Sequence, residues 1–139
     1  MKARVKWVEQ VSFLGETESS HAILMDGSPA AGGRNLGPRP MEMLLLGAGG
    51  CTSFDVISIL KKKRMDVVDF EVKVHTEKAQ DYPQIWTVAE LEYIVTGRNI
   101  DPKAVERAME LSKQTYCPAQ NMLGKAVDIK TKYTIVEID

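Results

Sequence analysis

The sequence has few cysteines and few aromatic side chains: Cys51 and Cys117 are the only cysteines among 139 residues, and aromatic residues make up 6%. Two cysteines argue against the disulfide framework of a small secreted protein. The first ten residues, MKARVKWVEQ, alternate charged and bulky side chains and contain no apolar signal-peptide stretch. We therefore predict a cytoplasmic protein with two free thiols. They are either buried, inert cysteines or a redox pair.

The sequence also lacks an excess of charge of either sign. It contains 18 Lys and Arg against 19 Asp and Glu, for a net charge of −1. Proteins that bind nucleic acid usually carry a basic stripe or patch. The single basic run, at residues 61–64, follows an apolar segment, where cations stabilise the C-terminal end of a helix. We predict no nucleic-acid partner.

Motifs for metals and phosphates are absent too. His21 and His75 could join the two cysteines in a zinc site, but none of the four shows the short ligand spacing of such sites. The glycines of GAGG, residues 47–50, lie inside a helical pattern and not between a strand and a helix, which argues against a phosphate loop. We predict no metal and no cofactor.

The most unusual segment is a long predicted helix that begins at Pro40 and ends near Arg64. Its residues are apolar on nearly every face, but Glu42, Asp55 and several hydroxyl side chains interrupt them. No uninterrupted run reaches the roughly 20 apolar residues of a membrane span, so we predict no membrane partner. A helix that is apolar all round must be covered on all sides. We therefore expect a second copy of the chain to cover it.

Alternating patterns predict the strands, and proline pairs predict two further helices. The second strand is expected to stop at Gly15 and the fifth at Gly97, and Gly and Pro residues at 27–39 predict a mobile loop without a regular element. Asp101-Pro102 and Cys117-Pro118 are helix start signals. Strands segregated from helices indicate an α+β fold, and we expect one domain over residues 1–139. The strands are predicted at residues 4–8, 13–14, 21–25, 70–76, 85–95 and 129–138.

The surroundings of the two cysteines differ. Glycines before Cys51 favour a close crossing with another helix, and they also leave room beside the thiol. Asp55, one turn after Cys51, disfavours a thiolate there because like charges repel. Cys117 precedes Pro118 at a helix N-terminus, where the helix dipole favours a thiolate. Serine, threonine, aspartate or asparagine would cap that helix better, which favours a chemical role for Cys117.

Two motifs carry a resemblance to a known family. The segment PMEMLLLGAGGCTSFDV resembles the P-x-E-x-L-x-x-A-x-G-G-C-x-x-x-D segment of the OsmC/Ohr family of osmotically inducible and organic hydroperoxide resistance proteins. TYCPAQNML resembles that family's second-cysteine segment, and the similarity extends over essentially the whole chain. The opening MKARVKWVE and the segment ILMDG are most similar to the YhfA-type branch of the family.

The resemblance implies a fold and an activity. The fold would be OsmC-like, with antiparallel sheets wrapped around central helices in an intertwined homodimer. The activity would be reduction of organic hydroperoxides: Cys51 attacks the peroxide and becomes a sulfenic acid, and Cys117 resolves it to a disulfide. A small thiol or dithiol would then reduce the disulfide.

The sequence departs from the family at the residues that would activate Cys51. The characterised hydroperoxide reductases of the family place an arginine in the loop after the first strand, and here the segment EQVSFLGETESS contains none. The characterised reductases also place a glutamate directly after the motif's proline, where this chain has Met41 and then Glu42. Arg34 and Arg39 are the remaining candidates for an activating cation. The alternative is therefore a non-catalytic protein on the same fold that binds a small apolar ligand or senses redox state.

Overall fold

The α1 helix (Pro40–Lys62) links two compact units of the chain. A computed structural model describes all residues, Met1–Asp139, and the units are Met1–Leu46 and Gly47–Asp139. Each unit contains its own three-stranded sheet. The strands are segregated from the helices along the chain, so the predicted α+β class is confirmed.

The sheet of the first unit is an antiparallel meander of β1 (Ala3–Glu9), β2 (Ser12–Thr17) and β3 (Ala22–Met25). All three strands were predicted, but β2 does not stop at Gly15. This residue pairs with strands on both sides, and a Cβ there would meet Cε of Met25 at 3.2 Å. The glycine therefore permits close approach inside the strand and does not end it.

A buried carboxylate organises the loop between β3 and α1. Both oxygens of Asp26 accept backbone N–H hydrogen bonds, from Gly27 at 2.7 Å and from Arg34 and Leu36 at 3.1 Å each. Burial opposes ionisation, yet the hydrogen bonds outweigh it and lower the pKa of Asp26. The loop also contains one short 3-10 turn, Pro29–Ala31, which the sequence did not predict.

The sheet of the second unit has the order β4 (Asp66–Lys78), β5 (Trp86–Arg98) and β6 (Asp128–Glu137). Strands β4 and β5 are antiparallel, whereas β5 and β6 are parallel. The parallel pair departs from the all-antiparallel sheets that we expected. The connection from β5 to β6 contains two helices, α2 (Pro102–Leu111) and α3 (Pro118–Leu123), which gives it the length that a crossover requires.

Gly97 also lies inside a strand, contrary to the prediction. A Cβ at this position would lie 2.2 Å from the carbonyl oxygen of Asp66 on β4. No other residue fits between the two strands without a shift of the backbone, so Gly97 is required for the pairing and does not terminate β5.

The core of the second unit lies between its sheet and the helices α1 and α2. Burial of one Leu or Val side chain stabilises a fold by about 1.5–3 kcal/mol, so this cluster provides a stable support for side chains on α1 and β5. The cluster consists of Val56 and Leu60 of α1, Leu91, Tyr93 and Val95 of β5, and Ile100, Ala104, Val105, Ala108 and Met109 of α2 and the residues before it.

Helix α1 keeps several large apolar side chains exposed. Leu46 is 62% exposed and Phe54 is 75% exposed. By length and composition alone α1 could cross a membrane, as could the core helix of many water-soluble proteins. Interruption by Glu42 and Asp55 therefore does not by itself exclude a span.

Candidate functional site

The two cysteines are neighbours in the second unit. Cys51 lies on α1 and is half-buried, whereas Cys117 is fully buried as the N-cap residue of α3. Both are free thiols, and the Cys51 side chain is close enough to perturb the ionisation of Cys117. The fold thus brings together the two residues on which the proposed redox chemistry depends.

Cys117 is held as a protonated thiol. Burial, followed by the neighbouring Cys51 thiol, raises the pKa of Cys117 to about 11, and the Asp55 carboxylate adds to the increase. The backbone N–H of Gln120 donates to Sγ at 3.3 Å and acts in the opposite direction. The prediction that the helix N-terminus favours a thiolate at Cys117 is therefore wrong in its net direction, because desolvation exceeds the effect of the helix end.

A wide helical turn positions Cys117. Residues Ser112–Tyr116 form a π-helical turn between α2 and α3, and the N–H of Cys117 donates to the carbonyl oxygen of Ser112 at 2.8 Å. Such turns are rare and occur frequently at functional sites. The turn places Cys117 at the start of α3 while the Ser112 side chain stays buried against α1.

A buried polar network lies beside the cysteines. Thr52 on α1 is its centre, with Oγ1 at 2.7 Å from the Tyr93 hydroxyl and at 2.8 Å from Ser112 Oγ. Gln120 Nε2 donates to Thr52 Oγ1 at 2.9 Å. Ser112 Oγ donates to Asp55 Oδ2 at 2.9 Å. The network therefore connects α1, β5, the π turn and α3.

The hydrogen bonds of this network have one consistent direction. The hydroxyl proton of Ser112 goes to Asp55, so Ser112 Oγ must accept from Thr52, and Thr52 Oγ1 must then accept from Tyr93 and Gln120. All three hydroxyl protons are used in this way. The Gln120 amide must consequently present its nitrogen, and its Oε1 is buried without a hydrogen-bond partner.

Sequence reasoning missed most of this network. Thr52 is one of the hydroxyl side chains that the sequence analysis treated only as interruptions of an apolar helix. Ser112 continues the helical spacing of the buried α2 residues Val105, Ala108 and Met109, and a hydroxyl on such a face was the available signal. Nothing in the local pattern distinguished Gln120, because its role depends on contacts distant in sequence.

The other predicted site residues lie in the first unit, where each has a local partner. Arg34 Nη2 forms an ion pair with Glu9 Oε2 at 3.0 Å, and Arg39 Nη1 donates to Asn35 Oδ1 at 2.8 Å. Glu42 Oε1 accepts the backbone N–H of Arg39 at 2.8 Å. A glutamate that reaches back in this way caps the N-terminus of its helix, so Glu42 has a structural role at the start of α1.

The glycines before Cys51 differ in their contacts. A Cβ at Gly49 would lie 3.3 Å from Cγ2 of Val74 on β4, whereas at Gly47 and Gly50 it would meet nothing within 4 Å. Only Gly49 therefore serves close packing inside the chain. A helix that crosses closely at Gly47 and Gly50, as predicted, would have to belong to another molecule.

These features define the class of the protein: a small α+β protein with one thiol on a long apolar helix and a second at a Cys-Pro helix start. A family model described as OsmC-like protein matches residues 32–132. The chain belongs to the OsmC-like protein family, as its two cysteine motifs predicted.

The relatives agree with this assignment. The chain is 50% identical to Protein YhfA of Escherichia coli (strain K12) over 136 residues, which are 98% of each chain. The solved structure of a hypothetical protein from Aquifex aeolicus VF5 is 27% identical, with a TM-score of 0.87 over 99% of this chain and 97% of that one. The organic hydroperoxide resistance protein OhrB of Bacillus subtilis shares the fold at 15% identity, with a TM-score of 0.62 over 96% and 98% of the two chains. With this fold established, we assign α1 as a core helix.

Proposed function

We propose that the protein is a thiol peroxidase that reduces organic hydroperoxides through Cys51 and Cys117. The observation that carries the proposal is the pair of free, neighbouring thiols on α1 and at the start of α3. In the first step a Cys51 thiolate attacks the terminal oxygen of the hydroperoxide, an alcohol leaves, and a sulfenic acid forms. Cys117 then displaces the hydroxyl group as water, and a disulfide results. Fold relatives named as organic hydroperoxide resistance proteins support this chemistry.

The roles of the two cysteines follow from their exposure. Cys51 is half-buried and can meet a small molecule, whereas Cys117 has no exposed surface. Because burial raises the pKa of Cys117 to about 11, this residue is a thiol at neutral pH and reacts slowly with peroxide. Cys117 is therefore suited to resolve an intermediate that forms next to it.

The proposal includes a homodimer. In the first unit, Trp7 is 63% and Val5 61% exposed. These two side chains lie on the same face of the sheet as Phe13 and Ile23. Residues directly opposite each other on neighbouring strands share a face, and so do residues two positions apart on one strand. In the second unit, Phe54 on α1 is 75% exposed. Apolar patches of this kind mark interaction surfaces, and the open space at Gly47 and Gly50 leaves room for a partner helix.

The reductant and the compartment follow from the chemistry. A small thiol or dithiol would reduce the Cys51–Cys117 disulfide by thiol–disulfide exchange and restore both thiols. The reducing cytoplasm maintains free cysteines of the kind seen here. We therefore place the peroxidase in the cytoplasm.

The experiment that tests the function is a turnover assay with cumene hydroperoxide and a dithiol such as dihydrolipoamide. Wild type is expected to consume peroxide, and Cys51→Ser is expected to lose all enzyme-dependent consumption. Cys117→Ser should still be oxidised once at Cys51 and should accumulate a sulfenic acid that dimedone traps. Equal turnover by wild type and Cys51→Ser would contradict the proposal.

A second candidate function is the binding of a small apolar ligand by a non-catalytic OsmC-like protein. The observation in its favour is that Arg34 and Arg39, the two candidate activating cations, are engaged by Glu9 and Asn35. Cys51→Ser separates the two functions. A binding protein keeps its affinity for the ligand in this variant, whereas a peroxidase loses turnover.

A further inference from the structure

We propose that the Asp55 carboxylate is the proton acceptor in the resolving step, and that Ser112 positions it. This inference rests on the proposed peroxidase function and names the group that lets a buried thiol react. The resolving step needs such a group because Cys117 is fully buried and must lose a proton to form the disulfide.

The location of Asp55 fits this role. It follows Cys51 by four residues on α1, so the two side chains lie on one face of the helix. Ser112 connects Asp55 to Cys117, since its Oγ donates to Asp55 Oδ2 at 2.9 Å and its carbonyl oxygen accepts the Cys117 N–H at 2.8 Å. The charge of Asp55 also makes a small contribution to the raised pKa of Cys117. A carboxylate that destabilises the thiolate becomes neutral when it takes the proton, and the thiolate is then no longer opposed.

The hydrogen bonds leave one oxygen of Asp55 available. Oδ2 accepts from Ser112 Oγ at 2.9 Å, whereas Oδ1 accepts no hydrogen bond from the chain. Ser112 Oγ also accepts from Thr52 at 2.8 Å, so two hydrogen bonds favour this orientation of the hydroxyl group. The π turn adds a second constraint, since the carbonyl oxygen of Ser112 holds the N–H of Cys117 at 2.8 Å. Ser112 therefore contacts both the backbone of Cys117, which is the proton donor, and the carboxylate of Asp55, which is the proton acceptor.

The proposed step balances without another reactant. Sγ of Cys117 attacks Sγ of the Cys51 sulfenic acid, the S–S bond forms and the S–O bond breaks. The thiol proton of Cys117 passes to Asp55 and from there to the leaving hydroxide, which departs as water. The sulfenic sulfur is reduced, the thiol sulfur is oxidised, and Asp55 ends as a carboxylate.

The test separates sulfenic acid formation from its resolution. Reduced protein is mixed rapidly with one equivalent of cumene hydroperoxide, quenched with dimedone and analysed by mass spectrometry at successive times. Asp55→Asn keeps an oxygen that can accept from Ser112, so the fold is preserved. The matched control is Asp69→Asn, which removes an exposed carboxylate on β4 whose hydrogen-bond partner is the neighbouring Phe70 N–H.

We expect Asp55→Asn to lengthen the lifetime of the sulfenic acid by roughly 100-fold, within the range of general base catalysis, without slowing its formation. Asp69→Asn should behave as wild type. If the sulfenic acid of Asp55→Asn is converted to the disulfide within twofold of the wild-type rate, or faster, Asp55 is not the proton acceptor. The proposed peroxidase function would be unaffected by this result. If wild type itself forms neither sulfenic acid nor disulfide, the peroxidase function fails, and the role of Asp55 fails with it.

A double-mutant cycle tests the positioning by Ser112. Ser112→Ala should slow resolution about 10-fold by releasing the carboxylate, and it should have little further effect in the Asp55→Asn background. A purely structural role for Ser112 predicts instead that the two changes slow resolution independently. Additive effects would therefore remove Ser112 from the proposal.

Discussion

The backbone N–H of Gln120 donates to Cys117 Sγ at 3.3 Å, yet Cys117 remains a thiol. A helix N-terminus stabilises a thiolate when the sulfur is also solvated. Here the sulfur has no exposed surface, and burial outweighs the single N–H donor. The same geometry that would activate an exposed cysteine therefore leaves this buried one protonated, as the proposed resolving role requires.

The stability of the reduced protein should depend on the ionisation of Cys117 at alkaline pH. Its folded-state pKa, about 11, lies above the ordinary value of 9.0. The unfolded chain therefore loses this proton first, so the stabilisation is complete below about pH 9 and is lost as the pH rises toward 11. A difference of two pH units corresponds to roughly 3 kcal/mol.

Urea unfolding of wild type and Cys117→Ser, measured under reducing conditions from neutral pH to pH 11, checks this prediction. The free energy of unfolding should fall more steeply for wild type, because the serine hydroxyl does not titrate in this range. Other groups that titrate at high pH are common to both proteins and cancel in the comparison. Parallel curves would show that Cys117 is not held as a thiol by the fold.

The buried network should contribute measurably to stability through Thr52. Thr52→Val keeps the shape of the side chain but removes the acceptor of the Tyr93 hydroxyl. It also leaves the Gln120 amide only longer contacts, to the Tyr93 hydroxyl at 3.4 Å and to Ser112 Oγ at 3.5 Å. An unsatisfied buried group costs about 1–3 kcal/mol, so we expect a loss of about 1–3 kcal/mol in urea unfolding. The control Thr134→Val, on the exposed face of β6, should change stability by less than about 0.5 kcal/mol.

Glu42 should act mainly through the start of α1. Because Oε1 caps the backbone N–H of Arg39, Glu42→Ala is expected to lower stability by about 0.5–1 kcal/mol. Glu42→Gln retains an acceptor oxygen and should retain most of this stability, and its peroxide turnover should match wild type. A Glu42→Gln variant of normal stability without turnover would instead place Glu42 in the reacting site.

The exposed apolar surface of α1 should be covered by a second copy of the chain. Phe54→Asp places a charge on a side chain that is 75% exposed in the single chain, so burial of this side chain in a dimer would become unfavourable. Light scattering after size-exclusion chromatography should give twice the chain mass for wild type and a lower average mass for this variant. Lys130→Asp, at an exposed position of β6, is the control. A monomeric wild type would contradict the prediction.

Local chemistry made some features of this fold predictable. Asp101 caps α2 by accepting the Lys103 N–H at 3.0 Å, and Cys117 caps α3, as their proline pairs indicated. Such caps depend only on neighbouring residues. Gly15 and Gly97 were misjudged as strand ends for the opposite reason. Their role is set by contacts with other strands, which no local pattern contains.

The same difference between local and long-range signals applies to the candidate site. The sequence predicted Cys51 and Cys117 as candidates because their motifs are local and specific, and the structure places the two thiols next to each other. The hydrogen bond between Thr52 and Ser112 joins residues 60 positions apart, and that of Gln120 with Thr52 joins residues 68 positions apart. These partners are determined by how α1, β5 and the π turn pack together. Tertiary structure was therefore needed to find the network that surrounds the thiols.

The mass of the peroxide-treated protein shows whether Cys51 and Cys117 form one redox pair. Reduced protein is treated with one equivalent of cumene hydroperoxide at neutral pH, denatured, and analysed for free thiols and intact mass. We expect the loss of both thiols, a decrease of about 2 Da per chain from two hydrogens, and a peptide that links Cys51 to Cys117. Survival of both thiols in excess peroxide, with an unchanged mass, would contradict this expectation.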